Sequence, residues 1–332
     1  MPLSAHRRSH RLALFALLTL LALGSLLLAL TAGSVPVSLA ELWQALRGDA
    51  DGLAGAVVLD LRLPRALSAF VTGGLLALAG SLMQVLLRNP LADPYILGIS
   101  GGASVAALLS IALGVGGAWV SGSAFLGALL SMFLVFGLAH GRGGWTSTRL
   151  LLTGVVVAAG WGALISLLLA IGPEQSLRGM LFWLMGDLSQ ARNWPAGLAI
   201  LLIGLALALA LARNLNLLAR GELQASVLGV AVPRLRLALF FLASLLTAAA
   251  VTIAGSVGFV GLVVPHLLRL AIGGDHRLLL PAAVLLGGSF LVLADSLARV
   301  VIAPQQLPVG VLSALIGVPV FLFLLNRRGV GA

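Results

Sequence analysis

The sequence predicts an all-α polytopic membrane protein with about ten transmembrane helices, and three observations carry that expectation. Of 332 residues, 60% are hydrophobic and 9% charged, with mean hydropathy +1.13, whereas a soluble domain averages about 25% charged residues. Apolar runs recur along almost the whole chain, each near the ~20 residues a helix needs to cross a hydrocarbon core about 30 Å thick. The runs are continuous, whereas barrel strands alternate over about ten residues. A helix also pairs its own backbone amides inside lipid.

The elements follow in order. The start, "MPLSAHRRSHRLALFALLTLLALGSLLLAL", is basic and then apolar like a secretory signal. Its apolar stretch outruns the roughly 7–15-residue core of a signal peptide, so it reads as an uncleaved first span, 12–31. "LDLRLPRALSAF", 59–70, places Arg62 and Arg65 around Pro64 at the entry to a second span, 66–87. The prolines of "RNPLADP", 88–94, fix φ and stop both flanking helices. Spans 95–114 and 123–139 follow, then the polar connection "GRGGWTSTR", 141–149, and spans 150–171 and 195–212. After the long connection 213–236 come 237–255 and 257–272, separated only by "GSVG", then 280–300 and 308–326. The 41 glycines suit close helix packing and are equally ordinary in membrane chains.

Arginine bias near span ends sets the orientation. With the amino terminus inside, 14 arginines and 3 carboxylates lie inside, and 6 arginines (Arg47, Arg62, Arg65, Arg178, Arg192, Arg299) face 7 carboxylates outside. Both termini are thus expected in the cytoplasm. The net charge of +10 reports topology and contact with anionic lipid rather than nucleic acid.

Several chemistries are excluded. There is no cysteine, so neither a disulfide nor a thiolate metal site is available. The five histidines lie in different segments without ligand spacing, so no metal site is expected. There is no nucleophile elbow, dinucleotide fingerprint or catalytic carboxylate pair. All 20 basic residues are arginines, and a P-loop requires a lysine. Any ATP and Mg²⁺ on which the chain depends are therefore used by a partner ATPase. The scarcity of charge in mid-membrane argues against an ion-coupled secondary transporter of a bulky solute, which stays as the alternative, because such carriers place ionisable groups there. Asp295 and Arg299 read as a mutual i,i+4 pair near the outer end of their span.

The longest inner connection contains a short helix bounded by Gly221 and Gly229, with Leu223, Val227 and Leu228 near one face and Glu222 and Ser226 off it. Such a helix lies on the membrane as an interfacial loop or fills a groove on a cytosolic partner. Ser147 and Thr148 either cap the fifth span or narrow the inner mouth of a pathway.

Together, "RLPRALSAFVTGGLLALAGSLMQVLLRNPLADPYILGISGGA", "STRLLLTGV", "GELQASVLGV", "GSVGFVGLVVPHLLRL" and "LPVGVLSALIGVPVFLFLL" resemble the permease subunits of type II ABC importers for iron–siderophores, haem and cobalamin, over about residues 56 to 326. "DHRLLLPAAVLLGGSFLVLADSLARV" is especially similar to cobalamin permeases. The resemblance implies the type II ABC importer permease fold as one transmembrane domain over 1–332, with 12–326 embedded and 213–236 a cytoplasmic coupling loop. It implies a homodimer in a bacterial inner membrane, two cytosolic ABC ATPase subunits and a periplasmic binding protein. By position, Arg62, Arg65 and Arg299 match arginines that receive carboxylates of the binding protein. Asn89 and Leu91, with Ser147 and Thr148, match inner gate loops. Gly221, Glu222, Leu223, Ser226, Leu228 and Gly229 match the coupling helix that seats in the ATPase. Rival readings are the secondary carrier, a membrane sensor or scaffold, and an exporter half, for which the chain is expected to end too soon. The chelate itself is not legible.

Overall fold

A computed structural model describes residues 2–33, 35–48, 53–140, 146–191 and 193–327, and among these there is no strand. The helices in order are α1 (Pro2–Thr31), α2 (Leu39–Arg47), α3 (Leu53–Ala56), a π turn (Val57–Arg62), α4 (Leu63–Leu86), a 3₁₀ turn (Pro94–Leu97), α5 (Ile99–Ala112), α6 (Ala118–Ala139), α7 (Ser147–Ile171), α8 (Glu174–Met185), α9 (Trp194–Ala210), α10 (Ala212–Leu218), α11 (Glu222–Val227), α12 (Val232–Ala254), α13 (Val260–Ile272), α14 (His276–Val300) and α15 (Val309–Arg327).

Each expected span is helical. Six are long and apolar enough to cross a bilayer, α9 and α10 form a seventh bent by 61°, and Ile99–Ala112, Val260–Ile272 and Val309–Leu324 are shorter. The short members meet others inside the fold. The Tyr95 hydroxyl, next to the 88–94 connection, accepts from the amide of Val257 at 3.1 Å, and Ser100 bonds Ser256 at 3.0 Å. The "GSVG" turn therefore sits within the protein, because the 13 residues of α13 reach only about 20 Å.

α4 is the axis of the bundle, with 89% of its crossing segment buried against 11% for α7. Its small residues permit this. A Cβ on Gly73 would lie 2.1 Å from the Gly287 carbonyl oxygen of α14, and one on Gly80 would lie 1.9 Å from that of Gly261 in α13. Backbone contact replaces side-chain packing at both crossings. Pro265 inside α13 has no amide to offer Gly261, four residues back. Gln84 Nε2 serves this strand of backbone instead, donating at 3.2 Å to Leu262 and 3.4 Å to Gly261.

Three elements differ from the sequence reading. The second span starts near Ala54 rather than 66, so Pro64 lies within a continuous helical run rather than at its entry. The π turn before it widens the coil, and Leu63 donates to Val58 five residues back. α2 and α8 were not expected. α2 is set by a capping box in which Ser38 and Glu41 bond reciprocally, and α8 follows Pro173 with Glu174 in its first turn.

Gly80→Leu should lower the thermal unfolding midpoint of the purified protein, since overpacking costs about 1–3 kcal/mol and the obstacle here is backbone. Gly24→Ala, with open space around it, should leave the midpoint unchanged. Equal midpoints would show that the Gly80 contact does not set the α4–α13 distance.

Candidate functional site: an arginine cavity and an exposed apolar helix

The π turn and the glycine crossing place Arg62, at the end of that turn, and Arg65 of α4 beside the far end of α14. Arg65 grips Asp295 with Nε at 3.0 Å from both carboxylate oxygens and Nη2 at 2.9 Å from Oδ1. Its Nη1 donates to Gln306 Oε1 at 2.6 Å. Arg299 approaches the same carboxylate at 3.3 Å, so the expected i,i+4 pair is present. Arg62 donates to the carbonyls of Leu30 at 2.9 Å and Thr31 at 3.0 Å, and also to Val35. Arg299 Nη2 donates to Ala29 at 3.1 Å. Two guanidinium groups thus cap the carbonyl end of α1, where unpaired acceptors and the helix dipole favour cations.

The three arginines expected to receive carboxylates of a binding protein are largely out of solvent. Arg62 is 6% exposed, and the side chains of Arg65 and Arg299 are 11% and 10% exposed. They are brought together but hold the chain's own groups, because three cations buried at one place need acceptors. They still line a cavity of about 170 Å³ with Gly33, Leu61, Ala303 and Gln306. Among the described side chains in contact, three guanidinium groups around one carboxylate leave an excess of two positive charges, reduced by the roughly half charge of a helix end. The cavity is chemically suited to a carboxylate.

At the opposite end of α4, Asn89 Oδ1 accepts from Leu91 N at 2.9 Å, and Asp93 Oδ1 accepts from Tyr95 N at 2.7 Å. These bonds shape the 88–98 connection. Burial pushes the half-buried Asp93 carboxyl up to about 6, against the favourable Tyr95 amide. α7 is capped by Thr146, one residue before the expected pair, its hydroxyl accepting from Arg149 N at 3.2 Å. Thr148 is exposed. Residues 141–145, the side chain of Ser147, Arg192, Asp49 and Asp51 lie outside the described residues.

α11 matches the short helix expected between Gly221 and Gly229. Leu223, Val227 and Leu228 are 79%, 78% and 63% exposed, while Ala225 is fully buried. Glu222 pairs with Arg236 and, at 3.3 Å, with Arg88. Ser226 turns back to the Leu223 carbonyl. Three large apolar side chains on two turns form an exposed apolar face of the kind that marks interaction sites.

Sequence reasoning missed a cavity of about 680 Å³ among the α5–α6 turn, α8 and the end of α12, lined by Phe182, Trp183, Asp187, Gln190 and Asn193. The polar run "DLSQARN" was its one visible signal. No group of histidine, aspartate and glutamate fit to hold a metal occurs among the described residues.

The two ends decide little until set beside known proteins. Residues 19–327 match the model of the FecCD transport family. The chain belongs to that family. It is 44% identical over 282 residues to a cobalamin import system permease of Halobacterium salinarum, covering 84% of this chain and 76% of that one. It is 42% identical to the hemin transport system permease of Yersinia pestis, covering 95% and 94%. Against a ferric dicitrate transport system permease of Escherichia coli the identity is 39%, covering 96% and 99%. Among solved structures, a metal-chelate-type ABC transporter in an inward-facing conformation superposes with TM-score 0.84 at 34% identity, covering 95% and 99%. This FecCD chain is a multi-pass transport subunit, all-helical like that neighbour.

Asp295→Asn should destabilise the protein by about 3–5 kcal/mol, the cost of leaving buried charge uncompensated. Arg65→Met combined with Asp295→Leu should cost less than the sum of the two single changes. Denaturant unfolding in detergent measures both, and strict additivity would mean the pair does not organise the cluster.

Proposed function

We propose that this chain is the membrane-spanning permease subunit of an ATP-driven importer that moves a metal chelate from a periplasmic binding protein to the cytoplasm. The observation that carries the reading is likeness, over most of the chain, to permeases named for cobalamin, hemin and ferric dicitrate. Three different chelates among the relatives favour a class of solute rather than one member of it.

In this reading the Glu222 end of the bundle is cytoplasmic. Arg88, Arg149, Arg213, Arg220, Arg234, Arg236, Arg269 and Arg277 collect there, as the positive-inside bias requires. The chain's α1 begins and α15 ends on that side, so both termini are cytoplasmic in the bacterial inner membrane. ATP is hydrolysed by two partner subunits, because the chain has no lysine for a P-loop. In each copy of the chain α11 seats its Leu223 face in one of these two subunits. The loaded binding protein presents carboxylates to the Arg62–Arg65–Arg299 cavity, where charge steers encounter and sets register more than it adds affinity. The exposed apolar face of α7, with Leu152, Val156 and Leu167, meets a second copy or lipid, and a homodimer gives two arginine cavities. Nucleotide moves the subunit only through differential affinity for the inward- and outward-open states.

Two experiments test this. The absence of cysteine allows a single Ala303→Cys at the cavity rim, which leaves the arginines intact. It should form a crosslink with the cognate binding protein, and raising salt from 50 mM to 0.5 M should weaken docking about tenfold or more, since exposed charge pairs are screened. Crosslinks to the ATPase alone, or docking insensitive to salt, would overturn the placement. Leu223→Asp should abolish ATPase capture and uptake while the unfolding midpoint stays put, because Leu223 is 79% exposed. Uptake that survives would remove α11 from the coupling role. Leu223 is a cleaner probe than Gly229, whose φ of +83° strains any side chain placed there.

A further inference from the structure

The segment carrying α11 is tied to α14 by one side chain. Asn216, in α10, donates through Nδ2 to Asp275 Oδ1 at 2.8 Å. Its Oδ1 accepts from the backbone amide of His276 at 2.9 Å and lies 2.7 Å from His276 Nδ1, which donates in the Nδ1–H tautomer. Asp275 is the N-cap of α14, its Oδ1 accepting from Arg277 N at 3.1 Å, and His276 is 2% exposed. One amide therefore engages the cap, the first helical amide and the first side chain of α14. These directional bonds, partly shielded from solvent, fix one arrangement and resist sliding.

The connection runs on in both directions. Gly221 donates to the Leu218 carbonyl at 3.1 Å and Ala225 to the Gly221 carbonyl at 3.0 Å, so hydrogen bonds through this one glycine join α10 to α11. α14 is a single helix from His276 to Val300, and Asp295 lies about 28 Å from its start at 1.5 Å per residue. There Asp295 holds Arg65 and Arg299, which line the arginine cavity. Midway, Gly287 of α14 meets Gly73 of α4 backbone to backbone. α4 returns to the same segment, where Arg88 takes the left-handed position after its last turn, at φ +51°, and pairs with Glu222 at 3.3 Å.

We propose that Asn216 is a positioning residue for transport, carrying displacement of the ATPase-docking helix into α14 and through it to the cavity that receives the binding protein. Nucleotide state and binding-protein affinity are then linked reciprocally, as linkage requires. The inference rests on the function proposed above and adds the route by which its two ends communicate.

The test uses the complex of this chain with its co-expressed ATPase in lipid nanodiscs. Leu61→Cys and Ala303→Cys, both lining the cavity, carry spin labels in the otherwise cysteine-free chain. The label distance is measured without nucleotide and after trapping with Mg-ATP and vanadate. The distance should shift on trapping in the labelled parent. In Asn216→Leu, which keeps the size but removes both hydrogen-bonding ends, the shift should fall to under a third, and stimulation of ATP hydrolysis by the binding protein should fall at least fivefold. ATPase should co-purify at the same ratio. Asn216→Gln, which keeps the amide, should recover part of both. If Asn216→Leu does not assemble, Asn216→Gln and Asn216→Ser give the graded series, with Gln nearer the parent. A parent that responds, with variants that respond equally, overturns the relay and leaves the transport reading standing. A parent that neither captures ATPase nor responds overturns both.

Discussion

One carboxylate, Asp295, organises the far end of this bundle. It lies almost wholly out of solvent and engages Arg65 from α4 and Arg299 from its own helix. Removing water from these charges is costly, and only close, hydrogen-bonded opposite charge offsets that cost. The arrangement therefore demands a fixed distance between α4 and α14. That distance is supplied by the approach of Gly73 to Gly287, where no Cβ intervenes. Arg62 extends the same logic to α1, whose last carbonyls would otherwise lack donors. A helix pair, a helix end and a cavity wall thus rest on a few polar contacts at a place where lipid supplies none.

Elsewhere the chain solves the same backbone problem by local substitution. Gln84 donates to α13 where Pro265 cannot, and Tyr95 accepts the amide of Val257 in a turn inside the protein. Such side chains let short, interrupted helices sit where continuous ones would be required against lipid. Interrupted helices also bend at fixed points, which suits the change of shape that the proposed transport cycle requires.

The fold class was legible because hydrophobic run length is a property of neighbouring residues. Every expected span is helical for that reason, and α11 fell between its two glycines. What the sequence did not show was non-local or conformational. Arg65 and Asp295 are 230 positions apart, and no periodicity announces that they meet. The three arginines could be grouped only through the family likeness, and that likeness said nothing of their burial against Asp295, Leu30 and Ala29. Pro64 suggested a helix start, yet the widened turn at Val57–Arg62 carries the helix past it. α2 was missed although "SLAE" spelled a capping box, and α8 although Pro173 and Glu174 are common opening residues. Both are short, and run length hides short helices.

On the proposed function the two ends of the bundle differ in physical kind, and the difference bears on how such an importer would work. The α11 face is apolar, and attraction there depends on surface removed from water, which salt scarcely weakens. The arginine cavity offers an excess of charge, and attraction there falls steeply with ionic strength. An ATPase held by the first contact remains resident through many cycles. A binding protein drawn by the second arrives fast and leaves readily, which is what delivery requires. Had both ends been apolar, an empty carrier would block the next loaded one. Had both been ionic, the ATPase would be lost at moderate salt. On that proposal the excess charge left around Asp295 is a condition of turnover rather than a defect in packing, since full neutralisation within the chain would leave nothing for a visiting carboxylate to complete.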